Sequence, residues 1–430
     1  MPMRTFNKDP ITITEYGGFT RGVESQQYYK LPINTFDSLE EFILSNTTDR
    51  VDETFDLLSL SIKKNLGKVI TAKNYVGLIA LKDGTIIEIL PKIVGEEVTQ
   101  QESKKILLDM LQSLNELQFK KLNMSSLDTS RMNLFEVFIK MFLDEVTILT
   151  KQGLRSSYSQ VESNERFYKG KLIASKNIKY NFINKEKFYV RFDEFNLDRA
   201  ENRLIKSTLK LILKLSSNYQ NRQLSTRLLS YFDNVRLSDN YDQDISNCII
   251  DRGTNHYDKA ITWCKVLLKG NSFTSFAGSK VALALLFPME KLFENYIAEK
   301  FKKLLSRDFI FRKQDKRYSL FDSPNKAFAL RPDIVLEHSS RTIVMDTKWK
   351  VLDIKARNMG ISQSDMYQMY AYGKKYQANE IYLIYPRSYI HDMEMSKYSS
   401  DDGVIVNISF VDLKEVNKSL LDIIKRAEKQ

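Results

Sequence analysis

The stretch ALRPDIVLEHSSRTIVMDTKWK, residues 329–350, sets Pro332-Asp333 before one short apolar run and Asp346-Thr347-Lys348 at the end of a second. Both runs read as strands, and the thirteen residues from Asp333 to Asp346 match a hairpin. Ionised groups are costly to bury, so two aspartates and a lysine on neighbouring strands need a reason. Either they are salt-bridge partners at a sheet edge, or they hold a metal ion and do chemistry.

Side chains alternate along a strand, so Asp346 and Lys348 share a face, roughly 6.5–7 Å apart, while Thr347 points the other way. In a hairpin, Asp333 at the start of the first strand lies beside the end of the second, near Asp346. Carboxylates converging there repel unless a cation sits between them. Oxygen-only ligands suit Mg²⁺, with Mn²⁺ as a substitute, and a phosphate as a further ligand. Such a metal polarises a scissile phosphate and activates water, and Lys348 would stabilise the developing charge and orient or help deprotonate that water. This is the PD-(D/E)xK pattern of metal-dependent nucleases. The competing reading of the same string is a Pro-Asp turn with an exposed salt bridge. The hairpin spacing, the two abutting apolar strands and a preceding carboxylate helix weigh against it.

That helix is PMEKLFENYIAEKFKKLL, residues 288–305, with Pro288 suited to a first turn and an apolar stripe of Met289, Leu292, Phe293, Tyr296, Ile297, Phe301 and Leu304. Glu294, at the stripe's edge, is a candidate third acid for the metal; Glu290 reads as solvated. Downstream, DMYQMYAYGKKY puts Gln368 and Tyr372 at i and i+4 on one helical face. In RecB-like nucleases a Q-x-x-x-Y motif borders the active site; the alternative is a packed Tyr372 and a solvent-facing Gln368. Lys300, Lys302, Lys303, Arg307, Arg312, Lys313, Lys316 and Arg317 make the segment before the hairpin basic, fit to track phosphates or to remain a solvated face.

A chain of 430 residues exceeds one hydrophobic core, so two or three domains are expected. A net charge of +11 favours a polyanion such as double-stranded DNA as partner, against a plain lysine-rich surface. Cys248 and Cys264 lack metal-ligand spacing, and the histidines, His256, His338 and His391, are scattered, which argues against zinc. No signal peptide or membrane-length apolar run is found, so a cytoplasmic protein with no membrane partner is expected.

The pattern predicts an α+β multidomain chain. Residues 1–100 form a β-rich N-terminal module, with a hairpin of Val76–Leu81 and Thr85–Leu90 around Lys82-Asp83-Gly84 and a helix near Leu39–Ser45. Residues 101–270 are mainly helical, with SYSQVESNERFYKGKLIAS (157–175) as a connector. Residues 271–430 form an α/β PD-(D/E)xK nuclease domain with a mixed sheet, a helix at about 362–376, strands EIYLIYP and VIVNISFV, and a last helix near 414–427.

The segments IIEILPKI, ENRLIKSTLKLIL, LLFPMEKLFENYIAEKF, RPDIVL, DTKWK and DMYQMYAYGKKY together resemble McrC, the nuclease subunit of McrBC-type restriction systems, from about Val76 onward. The resemblance implies a partner, McrB, an AAA+ GTPase that forms rings, binds the recognition sequence and translocates DNA. It implies GTPase stimulation through the N-terminal part, with the β-rich module docking into the ring, and DNA cleavage through Asp333, Asp346 and Lys348. The chain carries no G-x-x-x-x-G-K-[ST] phosphate loop, which agrees with GTP hydrolysis residing in a partner. The rival expectations are a RecB-like nuclease working in repair with another motor, and a non-catalytic adaptor of an AAA+ ring.

Overall fold

The structure, a computed structural model, describes residues 9–47, 57–93, 98–114, 132–248, 255–269, 281–338, 341–353, 355–378, 380–388 and 396–429. The first hundred residues alternate apolar and polar positions and form strands: β1 (Ile11–Thr14), β2 (Gly18–Arg21), β3 (Tyr29–Leu31), β4 (Leu58–Lys63), β5 (Gly67–Ala72), β6 (Tyr75–Leu81) and β7 (Ile86–Leu90), with helix α1 (Ile33–Thr47) after β3. The expected hairpin is β6–β7, antiparallel with Gly77 opposite Ile89. Asp83 Oδ1 closes its turn by accepting the Thr85 N–H at 2.7 Å. One sheet runs β3-β2-β5-β4; β1, β7 and β6 begin a second, central sheet.

Helical periodicity then takes over in α2 (Gln100–Leu111) and α3 (Leu134–Gln152). A reciprocal Thr99–Glu102 capping box starts α2, and Asn133 caps α3. The segment 157–175, expected as a connector, is instead β8 (Ser157–Glu165), β9 (Lys171–Leu172) and the start of helix α4 (Ala174–Asn181). With β10 (Phe188–Asn196) the two strands build a three-stranded sheet, order β8-β10-β9. Its sequence hides it because burial does not follow the alternation. Val190 of β10 is buried, but Tyr158 of β8 and Phe195 of β10 are exposed. Helices α5 (Ala200–Leu215), α6 (Tyr219–Leu229), α7 (Tyr241–Asn247) and α8 (Asp258–Lys269) complete the middle. Buried Glu136 on α3 ties it together, accepting from the Ser216 hydroxyl at 2.7 Å, the Ser217 N–H at 2.8 Å and the Asn221 amide at 2.8 Å.

The apolar run VALALLFP becomes β11 (Val281–Pro288), which pairs antiparallel with β6, Leu285 opposite Leu78, and completes the central sheet in the order β1-β7-β6-β11. Gly77 permits the approach: its φ is +133°, and a Cβ there would lie 1.9 Å from the Leu285 carbonyl oxygen. Pro288 ends the strand and is the N-cap of α9 (Met289–Leu304), whose apolar stripe is buried from Met289 to Phe301.

The C-terminal part holds β12 (Ile310–Lys313), β13 (Ser319–Phe321), β14 (Ala327–Ala329), β15 (Ile334–His338), β16 (Arg341–Thr347), α10 (Gln363–Tyr376), β17 (Glu380–Pro386), β18 (Ser396–Ser399), β19 (Ile405–Val411) and α11 (Val416–Lys429). Six strands form a mixed sheet, order β12-β15-β16-β17-β19-β18, antiparallel at β15–β16 and parallel at β16–β17 and β17–β19. Alternate residues serve its two faces. Ile334, Leu336, Ile343 and Met345 pack in the cluster of α9 and α11, while Val335, Val344, Ile381 and Leu383 pack with Met369, Tyr372 and Tyr376 of α10. The fold class is α+β. Cys248 and Cys264 are free, and burial pushes both thiols up to about 12. No helix among the described residues is long and apolar enough to cross a membrane.

Candidate active site

The β15–β16 register sets Ile334 opposite Met345, and one further step puts Asp333 opposite Asp346. Both acids therefore project from one face at the same end of the hairpin. Asp346 is 2% exposed. Lys348 Nζ lies 2.7 Å from Asp346 Oδ2 and forms an ion pair with it. Asp333 Oδ2 accepts the Thr347 N–H and the Thr347 hydroxyl, each at 2.7 Å. The Lys348 N–H donates to the Ile384 carbonyl at 2.9 Å, which pins the end of β16 against β17.

Helix α10 meets the same point. Lys348 Nζ donates to Gln368 Oε1 at 3.1 Å, and Gln368 Nε2 donates to the Tyr372 hydroxyl at 2.8 Å. Tyr372 is buried, so the i, i+4 pair is a braced relay ending on the lysine. The structure thus brings Asp333, Asp346, Lys348, Gln368 and Tyr372 together. Glu294 joins them at one remove: its Oε1 accepts from Gln314 Nε2 at 2.6 Å, and the Gln314 N–H donates to the Asp333 carbonyl at 2.9 Å. Glu290 is exposed. Of the basic residues, Arg317 is held by Asp315 and Glu337, each at 2.6 Å, and Lys313 by Asn295, while Lys302, Lys303 and Arg307 are exposed.

Burial and the closeness of the acids dominate the electrostatics. Burial, then Asp333, pushes the Asp346 carboxyl up to about 7. Burial raises Asp333 too, against the pull of its Thr347 bonds. Burial and Asp333 raise Glu294. Burial pulls the Lys348 ammonium down, but Asp346, Asp365 and Asp333 together outweigh it and the net shift is upward. Carboxyls so placed share protons or attract a cation. Among the described residues no three His, Cys, Asp or Glu side chains converge closely enough to enclose a metal by themselves. The donors that fit one are the opposed Asp333 and Asp346, with the Lys348 ammonium already against Asp346 Oδ2. A hard, oxygen-only pair of that kind suits Mg²⁺, which retains several waters.

Three neighbours escape sequence reading. Alternation points Thr347 away from the acids, yet at the strand end its hydroxyl grips Asp333. Gln314 belongs to no motif; its left-handed φ of 47° turns it back toward Glu294. Asp365, in the first turn of α10, adds negative potential at Asp346 and Lys348; its place three residues before Gln368 is the signal that could have found it.

The family model for the McrBC 5-methylcytosine restriction system component matches residues 70–386. No curated protein matches the chain in sequence. Among solved structures, the chain is similar to one from Thermococcus gammatolerans described as McrB AAA+ hexamers with bound McrC, a half-complex of a tetradecameric assembly. Identity is 20%, the TM-score 0.68, and the match covers 96% of this chain and 100% of that one. A second match, to the McrBC complex of the same organism, has 20% identity and a TM-score of 0.48 over 70% of this chain and 89% of that one. At such identity the first likeness shows the fold.

Proposed function

Since the chain belongs to the McrBC 5-methylcytosine restriction system component family, we propose that it is the McrC-type subunit: a DNA endonuclease that hydrolyses phosphodiester bonds with Mg²⁺ and stimulates a McrB-like AAA+ GTPase ring. The observation that carries the nuclease reading is the opposed pair Asp333 and Asp346, with the Lys348 ammonium 2.7 Å from Asp346 Oδ2. The cation, when bound, supplies the charge that polarises the scissile phosphate and eases deprotonation of the attacking water. Asp333 and Asp346 hold it, and Thr347 fixes the orientation of Asp333. Lys348 stays protonated and works as a positive charge beside the phosphate, aimed by Asp346 and Gln368. Tyr372 keeps Gln368 in place, and Glu294 supplies a third carboxylate across Gln314.

The partner reading draws on the T. gammatolerans structure, described as McrB hexamers with bound McrC. Besides the β-rich N-terminal module, the β8–β10 sheet offers a docking surface: Phe167, Tyr168, Phe182 and Ile183 lie exposed at one end of it. The setting is the cytoplasm, and the substrate is double-stranded DNA.

The test is Asp333→Ala and Lys348→Ala in the assembled complex with GTP and Mg²⁺. Each should lower DNA cleavage by on the order of 10²–10³-fold while the partner's stimulated GTPase persists. Cleavage at the unsubstituted rate by either would refute the site.

A further inference from the structure

Glu15 follows β1 at the edge of the central sheet, and its side chain is only 1% exposed. Its backbone N–H already has a partner, the Leu90 carbonyl at 3.0 Å, so the sheet does not need the acid. The carboxylate instead accepts the Lys92 N–H at 2.9 Å and the indole Nε1–H of Trp349, at 3.0 Å to Oε2 and 3.3 Å to Oε1. Trp349 is the residue after Lys348. Its ring packs on Phe293, with centroids 5.3 Å apart, and Phe293 precedes Glu294. Trp349 also lines an open cleft of about 390 Å³ with Tyr16, Lys92, Lys350, Val351 and Pro386, so packing does not enclose the indole there. Its ring packs on Phe293 and the main apolar core, and its Nε1–H is held by the carboxylate.

We infer that Glu15 is a positioning residue for the cleavage site and acts through Trp349. The N-terminal strand holds the indole; the indole holds the Lys348 backbone on one side and the Phe293–Glu294 turn on the other. This rests on the nuclease reading of Asp333, Asp346 and Lys348. It makes the N-terminal part a component of the site's geometry. Tyr16 follows with a left-handed φ of 60°, and the Gly17 carbonyl accepts the Ala72 N–H at 2.8 Å. The contact therefore lies two residues from the β3-β2-β5-β4 sheet, and a shift of that sheet is felt at the lysine.

The experiment compares Glu15→Leu, Glu15→Gln, Trp349→Phe and the Glu15→Leu/Trp349→Phe double variant in the assembled complex, on plasmid DNA carrying 5-methylcytosine with GTP and Mg²⁺. Partners that orient a metal-site residue typically contribute 10–100-fold, so Glu15→Leu and Trp349→Phe should each lower kcat by about that factor with KM for DNA unchanged. Glu15→Gln keeps an acceptor oxygen and should stay within about twofold of the unsubstituted rate. The double variant should be no slower than the slower single one. In metal-free protein, Glu15→Leu should shift tryptophan emission and Glu15→Gln should not; the other tryptophan, Trp263, sits in the helical core. Trp349→Phe leaves the N-terminal strand untouched, so it tests the same bond should Glu15→Leu fold poorly. Full cleavage by Glu15→Leu beside an inactive Lys348→Ala overturns the positioning role alone, as does Glu15→Gln as slow as Glu15→Leu, or multiplying losses in the double variant. Full cleavage by Lys348→Ala overturns the nuclease reading and this inference with it.

Discussion

Asp346→Asn separates what the buried acid does to stability from the catalytic role proposed for it. In the folded chain its carboxyl is pushed from 3.8 up to about 7, by burial and then by Asp333. The unfolded chain has lost that proton by about pH 5, while the folded chain keeps it to near 7. Stability therefore falls as pH rises through this window. At about 1.4 kcal/mol per pH unit, the unsubstituted protein should lose roughly 2–3 kcal/mol at this residue between pH 5 and 8. Asparagine has the same shape and does not titrate. Below about pH 7 the protonated aspartate forms no ion pair with Lys348 either, so over that range the variant differs chiefly in having no proton to lose. Thermal unfolding in EDTA, followed by circular dichroism from pH 5 to 8, should show the variant gaining on the unsubstituted chain as pH rises. Mg²⁺ at pH 8 should raise the midpoint of the unsubstituted chain and leave that of the variant nearly unmoved. Parallel pH curves, or equal Mg²⁺ shifts in both, would refute the reasoning.

Gln368→Leu cuts the bridge from Lys348 to the Tyr372 hydroxyl and should lower kcat for DNA cleavage by about tenfold without loss of folding; an unchanged kcat on plasmid DNA would remove Gln368 from the site. Glu136→Ala leaves the Ser216 hydroxyl, the Ser217 N–H and the Asn221 amide without their acceptor in a buried place. Urea unfolding should register a loss of about 3 kcal/mol, and a loss under about 1 kcal/mol would show that water replaces the carboxylate there.

The hairpin that carries Asp333 and Asp346 was legible because local information suffices for it. Two apolar runs and a short connection leave one register, and thirteen residues of separation put the two acids face to face. The α9 and α10 helices were legible for the same reason: each buries one stripe. The β8–β10 sheet was not, because half-exposed strands carry no burial-driven alternation. Thr347 was misplaced because strict alternation fails where the strand ends and its backbone N–H turns to a side-chain acceptor. The contact between Glu15 and Trp349 spans 334 residues of sequence, and no local period encodes which distant strand a buried acid will meet. Which strand β11 joins was hidden likewise: its apolar run records that it is buried and not beside what.

The pairing of β6 with β11 has a consequence for synthesis. Leu78 waits for Leu285, about 200 residues later, and at roughly 5–20 residues per second a ribosome needs some 10–40 s to deliver it. During that interval the far edge of β6 is an unpaired template, open to a chaperone or to another nascent chain. Helix α9 starts where β11 stops, so Glu294 leaves the ribosome directly behind the late strand. A chain interrupted before residue 281 leaves the ribosome without Asp333, Asp346 or Lys348.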